Sequence, residues 1–241
     1  MTLLGLTLAS AGASAAQTNW PDLESRIQYG YYTEDARSLR GVMELLAPGD
    51  APDAIKSYYA GLANYRLTQL AAASDKSRAK SAAEQCVSNL DRALQSRQNF
   101  ADAFALQSAC LELLAGLEAW RTPFASSRSG AQIEKARHLE PRNPRVLLLD
   151  AVEEYDRPKK TPAQTDHALN TFKEAAAAFE TERQDTERVP GWGAAEAYVY
   201  LGKCYLDRGA ALEARDALER ALLIAPEFAE ARRLMAKITS G

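Results

Sequence analysis

Histidine is nearly missing from this chain: His138 and His167 are the only two in 241 residues. Neither has a cysteine or a second histidine at ligand spacing, so the sequence offers no metal centre. No HExxH, CxxC, P-loop, GxSxG or GxGxxG occurs, which removes the sequence signals for zinc hydrolysis, dithiol redox chemistry, phosphate cradling and a nucleophile elbow. Ser77 and Lys80 stand at SxxK spacing, but no SDN or KTG accompanies them and they open an amphipathic helix. Glu153, Glu154 and Asp156 cluster, yet Arg157, Lys159 and Lys160 follow them directly. That pattern reads as a solvated helix end with local ion pairs. No catalytic residue, cofactor or metal is therefore expected.

Charge of one sign is also lacking. The formal net charge is −3, which argues against non-specific binding to nucleic acid. Arg121–Lys160 is locally basic and Glu174–Glu187 acidic, as interspersed charges on a helical surface usually are. No sustained alternation of apolar and polar residues suggests strands, and no Gly/Ser linker divides the chain. The first sixteen residues carry no charge at all and run from apolar to small, ending Ala13-Ser14-Ala15-Ala16. They resemble a signal peptide without its basic start, too short for a membrane span, with a buried N-terminal helix as the alternative. The expectation is a periplasmic or secreted chain, or a cytoplasmic one if the segment is no signal.

What the chain has is a repeat. Tyr198, Leu201 and Tyr205 recur on one helical face, and Gly202 between them lets a second helix approach. Asp207-Arg208-Gly209 makes a turn in which Gly209 can take positive φ. Ala214, Leu218 and Ala221 form the facing seam, and Pro226 ends the unit. This order and spacing resemble the tetratricopeptide repeat (TPR) signature. Echoes lie upstream: Leu90–Leu94 before Phe100, Ile133–Ala136 before Pro141 with Asn143-Pro144, and Ala168, Phe172 and Ala175 after Thr161-Pro162. Trp20, Leu23 and Ile27, then Ala36 and Met43, closing at Pro48, give another. Tyr58-Tyr59-Ala60-Gly61 with Tyr65 resembles a first helix shifted by one position.

The resemblance implies an all-α fold: a right-handed superhelix of about five helical hairpins with a capping helix at 228–239. It would occupy 17–241, with its clearest repeat at 195–228. The junctions Gln98, Pro141, Glu180 and Pro226 are spaced more widely than the about 34 residues of the family. The extra length is expected in loops at Arg121–Gly130, Arg157–Gln164 and Arg183–Gly193. Cys86 and Cys110 would fall on neighbouring helices of the array. A Cys86–Cys110 disulfide and three buried thiols, Cys204 included, are both open readings.

The resemblance also implies a function: a non-catalytic scaffold that binds a protein or peptide partner, in the cell envelope if exported. Its concave groove would be lined by Tyr58, Leu62 and Tyr65; Ala105, Ala109 and Glu112; Leu148, Val152 and Tyr155; and Val199, Lys203 and Leu206. These side chains do not make the Lys/Asn/Arg carboxylate clamp of chaperone-tail binders. They suit a helix or extended peptide with apolar anchors, or else simply pack between repeats. An accessory subunit of an envelope enzyme and a self-associating structural protein are the alternatives.

Overall fold

A computed structural model of the chain describes residues 19–46, 53–117, 123–157, 161–182 and 190–239. The leader-like segment 1–16, Pro48 and most of Arg183–Gly193 lie outside the described residues. Among those residues the chain forms helices only: α1 (Trp20–Tyr32), α2 (Ala36–Leu45), α3 (Ala54–Ala71), α4 (Lys76–Ser96), α5 (Ala101–Leu117), α6 (Pro123–Leu139), α7 (Pro144–Asp156), α8 (Pro162–Glu182), α9 (Ala194–Asp207), α10 (Ala211–Ile224) and α11 (Ala229–Thr239). Their starts are set by local chemistry. Asn19, Asp35, Asp53, Asp75 and Asn143 each cap the following helix by accepting a first-turn N–H. Pro144 stands in the first turn of α7, where its missing N–H is no loss.

Consecutive helices pair into five hairpins, α1/α2 to α9/α10, and α11 packs on α10 and α9. A glycine–leucine contact fixes the register of three of them. A Cβ on Gly202 would lie 2.8 Å from Leu218 Cγ, one on Gly61 2.8 Å from Leu90 Cγ, and one on Gly30 3.0 Å from Leu39 Cγ. Gly61 thus does in the second hairpin what Gly202 does in the fifth, which explains why the tyrosines around it read as shifted. Gly209 takes φ +71 in the α9–α10 turn, as expected.

The extra repeat length is only partly where the composition suggested: Pro190–Gly193 lie outside any helix, but the other two segments differ. Arg121–Gly130 is no loop from Pro123 onward, and Arg157–Gln164 is helical from Pro162. Glu180 is not a junction either; it lies inside α8. The repeats are long because the helices are long: α4 and α8 have 21 residues and α3 has 18, against 14 each in α9 and α10. Of the two cysteine readings, the structure has the disulfide. Cys86–Cys110 joins α4 to α5 across a Cα–Cα distance of 6.2 Å, and Cys204 is buried elsewhere.

The first helices of the hairpins turn inward. Ala101–Leu111 of α5 is buried without a break, as is Tyr58–Arg66 of α3. Helices buried all round are core elements. The array then closes on itself. Glu196 of α9 accepts hydrogen bonds from Gln28 Nε2 and the Tyr32 hydroxyl of α1, both at 2.8 Å, and pairs with Arg66 of α3. Trp192 Nε1 donates to the Tyr58 hydroxyl at 2.8 Å, and Gly191 N–H donates to Glu24 at 2.9 Å. Tyr32 packs on Phe228 with ring centroids 4.3 Å apart, and Arg233 of α11 pairs with Glu34 at 2.6 Å. The first hairpin therefore meets α9 and α11, and the two ends of the described array are in contact.

Candidate partner-binding cavity

Closure decides where the twelve groove candidates sit. Tyr58, Leu62, Ala105, Leu148 and Val199 are buried in the closed core. Three others lie half-buried at its edge. The Tyr155 hydroxyl donates to Asp207 at 2.7 Å, Lys203 pairs with Glu230 at 2.6 Å, and Leu206 lies near the end of α9. Tyr65, Ala109, Glu112 and Val152 come together. They line one cavity of about 340 Å³ at the C-terminal ends of α3, α5 and α7, with Tyr200 of α9 as a further wall. That volume is within the range of small recognition pockets.

Helix spacing builds this site. Ala109, Glu112, Leu113 and Gly116 recur at three- and four-residue steps along α5, and Leu149, Val152 and Asp156 do so along α7. A buried ion cluster sets the two helices against each other. Arg145 of α7 donates through Nε to Asp102 of α5 at 2.5 Å and through both terminal nitrogens to Glu182 of α8 at 2.7 and 2.6 Å. Burial alone would weaken the Arg145 proton, but these carboxylates hold its pKa above the ordinary value. Deeper in the core, Arg66 lies 4.0 Å from the Tyr31 ring and 4.9 Å from the Trp192 ring. Against burial, Glu196 and the surrounding tyrosines keep it charged.

The cavity itself is apolar inside and charged at its mouth. Leu113, Leu149, Val152 and the Tyr65 and Tyr200 rings form its walls, with Lys76, Glu112, Glu153, Asp156 and Arg157 around them. Glu153 accepts from Arg157 Nη2 at 2.9 Å and from the Ser108 hydroxyl at 3.2 Å, and Glu112 accepts from the Ser129 hydroxyl. Among the described residues no group hydrogen-bonds the Tyr65 or Tyr200 hydroxyl, though Tyr65 is only 3 % exposed. Burial pushes the Tyr65 pKa up to about 12 and that of Tyr200 well above the phenol range, so both keep their protons.

Sequence reasoning missed Tyr200, Leu113 and Leu149 as lining and missed the Arg66–Glu196 pair. Tyr200 follows the candidate Val199 by one residue, so a small error in helix phase concealed it. His167 lies against Glu154 on the surface, Nδ1 to Oε2 at 2.5 Å. Among the described residues no cluster of three or more His, Cys, Asp or Glu could hold a metal, and no helix is long and apolar enough to cross a membrane.

No protein-family model matches the chain, and no curated protein sequence matches it. Solved structures do. A thermophilic TPR protein in Thermus thermophilus superposes with a TM-score of 0.56 at 16% identity, over 92% of this chain and 98% of that one. The HusA haemophore from Porphyromonas gingivalis superposes with a TM-score of 0.62 at 18% identity, over 80% of this chain and 96% of that one. At such identities the likeness concerns the fold. Over its described residues the chain is an all-α, TPR-like solenoid of five hairpins and a terminal helix.

Proposed function

We propose that this protein is a non-catalytic scaffold that holds a protein partner through the cavity between α3, α5, α7 and α9. One observation carries the reading: α1 meets α9 through buried hydrogen bonds that cover Glu196, while this largely apolar hollow between α3, α5, α7 and α9 stays open. An anchor side chain of a partner would lose its apolar surface to Val152, Leu149 and Tyr200, at about 25 cal/mol for each Å² buried. We place the protein in the periplasm or outside the cell, with residues 1–16 as its leader. The Cys86–Cys110 bridge supports this, because disulfides persist in oxidising compartments.

The test is affinity capture of residues 17–241 from an envelope extract of the host, read by mass spectrometry. Wild type is compared with Ala109→Leu, which extends a side chain into the cavity. A partner held by wild type and lost by a variant of unchanged helicity and thermal midpoint is the expected result. Equal recovery from both, or recovery of the protein itself alone, would overturn the reading.

A further inference from the structure

The groups this cavity leaves unpaired narrow what enters it. Tyr65 of α3 and Tyr200 of α9 line the hollow, and so does Gln69, one turn beyond Tyr65. Gln69 Oε1 is taken by Arg66 Nη1 at 3.0 Å, which leaves Gln69 Nε2 as a donor. Among the described residues nothing hydrogen-bonds that nitrogen or either phenol, and the two phenols do not bond each other. These atoms are not sealed in. The fully enclosed side-chain polar atoms without a partner, among the described residues, are Arg66 Nε and Gln107 Oε1. Both hydroxyls therefore open on the cavity, although Tyr65 is 3 % exposed. Burial is the leading cause that raises both phenol pKa values. The Arg66 guanidinium opposes it at Tyr65 without cancelling it, so both oxygens carry their protons. The hollow thus presents three neutral donors between the apolar walls of Leu113, Leu149 and Val152. Such a site takes an acceptor on a short hydrocarbon stem, and a phenol left over can itself accept.

We propose that the cavity receives the carboxamide of a glutamine side chain of the partner. Its methylenes lie against Leu113, Leu149 and Val152. Its carbonyl oxygen accepts from Gln69 Nε2 and one phenol, and its amide N–H donates to the other phenol oxygen. The inference rests on the scaffold reading above and names the anchor that this site takes. A glutamate has the same shape but brings a charge among Glu112, Glu153 and Asp156, while Arg157 is held by Glu153 and Arg66 by Glu196. An ammonium sets donors against donors, beside rings that cations already face: Arg66 Cζ is 5.3 Å from the Tyr65 centroid and Lys203 Nζ 4.4 Å from that of Tyr200. A purely apolar anchor fills the volume but keeps all three donors unpaired, which a polar-lined site penalises.

Saturation-transfer NMR titrations of the intact chain test it with three peptides capped by acetyl and N-methylamide groups: Gly-Ala-Gln-Ala-Gly, the same with glutamate, and the same with norleucine. The glutamine peptide should bind most tightly, each replacement weakening it about fivefold or more. Tyr65→Phe and Tyr200→Phe keep the ring and remove one hydroxyl each. Either should weaken the glutamine peptide about two- to tenfold and leave the norleucine peptide unchanged or tighter. Equal losses for both peptides in a variant of unchanged helicity would overturn the hydrogen-bond assignment. Norleucine binding as well as glutamine would overturn the carboxamide while leaving a partner-binding hollow. Preference for glutamate would overturn it in favour of Lys76 at the lip. No binding of any peptide would overturn it outright, and the capture experiment would then judge the scaffold reading separately.

Discussion

Replacing Glu196 by glutamine should open the ring that defines this protein. Its carboxylate has 4 % of its side chain exposed and the Arg66 guanidinium 2 %. It takes hydrogen bonds from Arg66 of α3 and from Gln28 and Tyr32 of α1, three donors on two other helices. Glutamine keeps the volume, removes the charge and sets an N–H₂ against these donors. Arg66 cannot respond by losing its proton, so a cation is left uncompensated in the core. Breaking a buried pair this way typically costs about 3–5 kcal/mol. For a chain of this size each kcal/mol lowers the thermal midpoint by about 2–4 °C, which predicts a fall of about 6–20 °C. Urea and thermal denaturation followed by far-UV circular dichroism measure the loss of stability and the fall in midpoint. The double variant Arg66→Met/Glu196→Leu should recover most of the loss, because an apolar pair carries no desolvation penalty. A Glu196→Gln protein within about 1 kcal/mol of wild type, or a double variant as unstable as the single, would refute the reasoning.

Three further outcomes follow from other parts of the fold. Gly202→Ala forces a methyl to within 2.8 Å of Leu218 Cγ and should lose about 1 kcal/mol despite alanine's better helix propensity, whereas Gly41→Ala, which meets nothing within 4 Å, should gain about as much in urea melts. Glu24 has its pKa raised, chiefly by burial and against the hydrogen bonds from Gly191 and Tyr59. A carboxyl raised in the folded state binds its proton more tightly there, so this group's contribution to stability falls as pH climbs above the ordinary carboxyl range; the wild-type minus Glu24→Gln difference in urea midpoint should shrink steadily from pH 7.5 toward pH 4.5, and a pH-independent difference would contradict it. The Cys86–Cys110 bridge closes a loop with a sequence separation of 24, so Cys86→Ala/Cys110→Ala should cost about 3 kcal/mol, and alkylation of the unfolded, unreduced wild type should label Cys204 alone.

Much of the architecture was legible because hairpin contacts are local. Gly202 and Leu218 are 16 positions apart, and the aromatic–Leu-Gly–Tyr pattern announces their meeting. The closure was not legible, because Glu196 meets Arg66 across 130 residues and Gln28 across 168, and no local pattern records a pairing that exists only once the array has curved round. Without it, Tyr58, Leu62, Leu148 and Val199 read as groove when they are core. Ser-rich Arg121–Gly130 was misread for a different reason. Serine favours loops when its hydroxyl competes for local backbone, but here Ser129 is buried, its carbonyl accepting from Ser108 and its hydroxyl bonding Glu112. Tertiary partners outvoted local preference. Tyr65, Ala109, Glu112 and Val152, expected in the groove, line the cavity because the first helices face inward.

The most direct test of the account is a photo-crosslinking residue, p-benzoylphenylalanine, placed at Gly116 on the lip of the cavity and, separately, at Leu212, which is 77 % exposed on α10 away from it. Irradiated in the native host, the Gly116 protein should form a discrete adduct with one partner and the Leu212 protein none. An adduct from Leu212 with none from Gly116 would put the interaction surface on the outer helices and contradict the account.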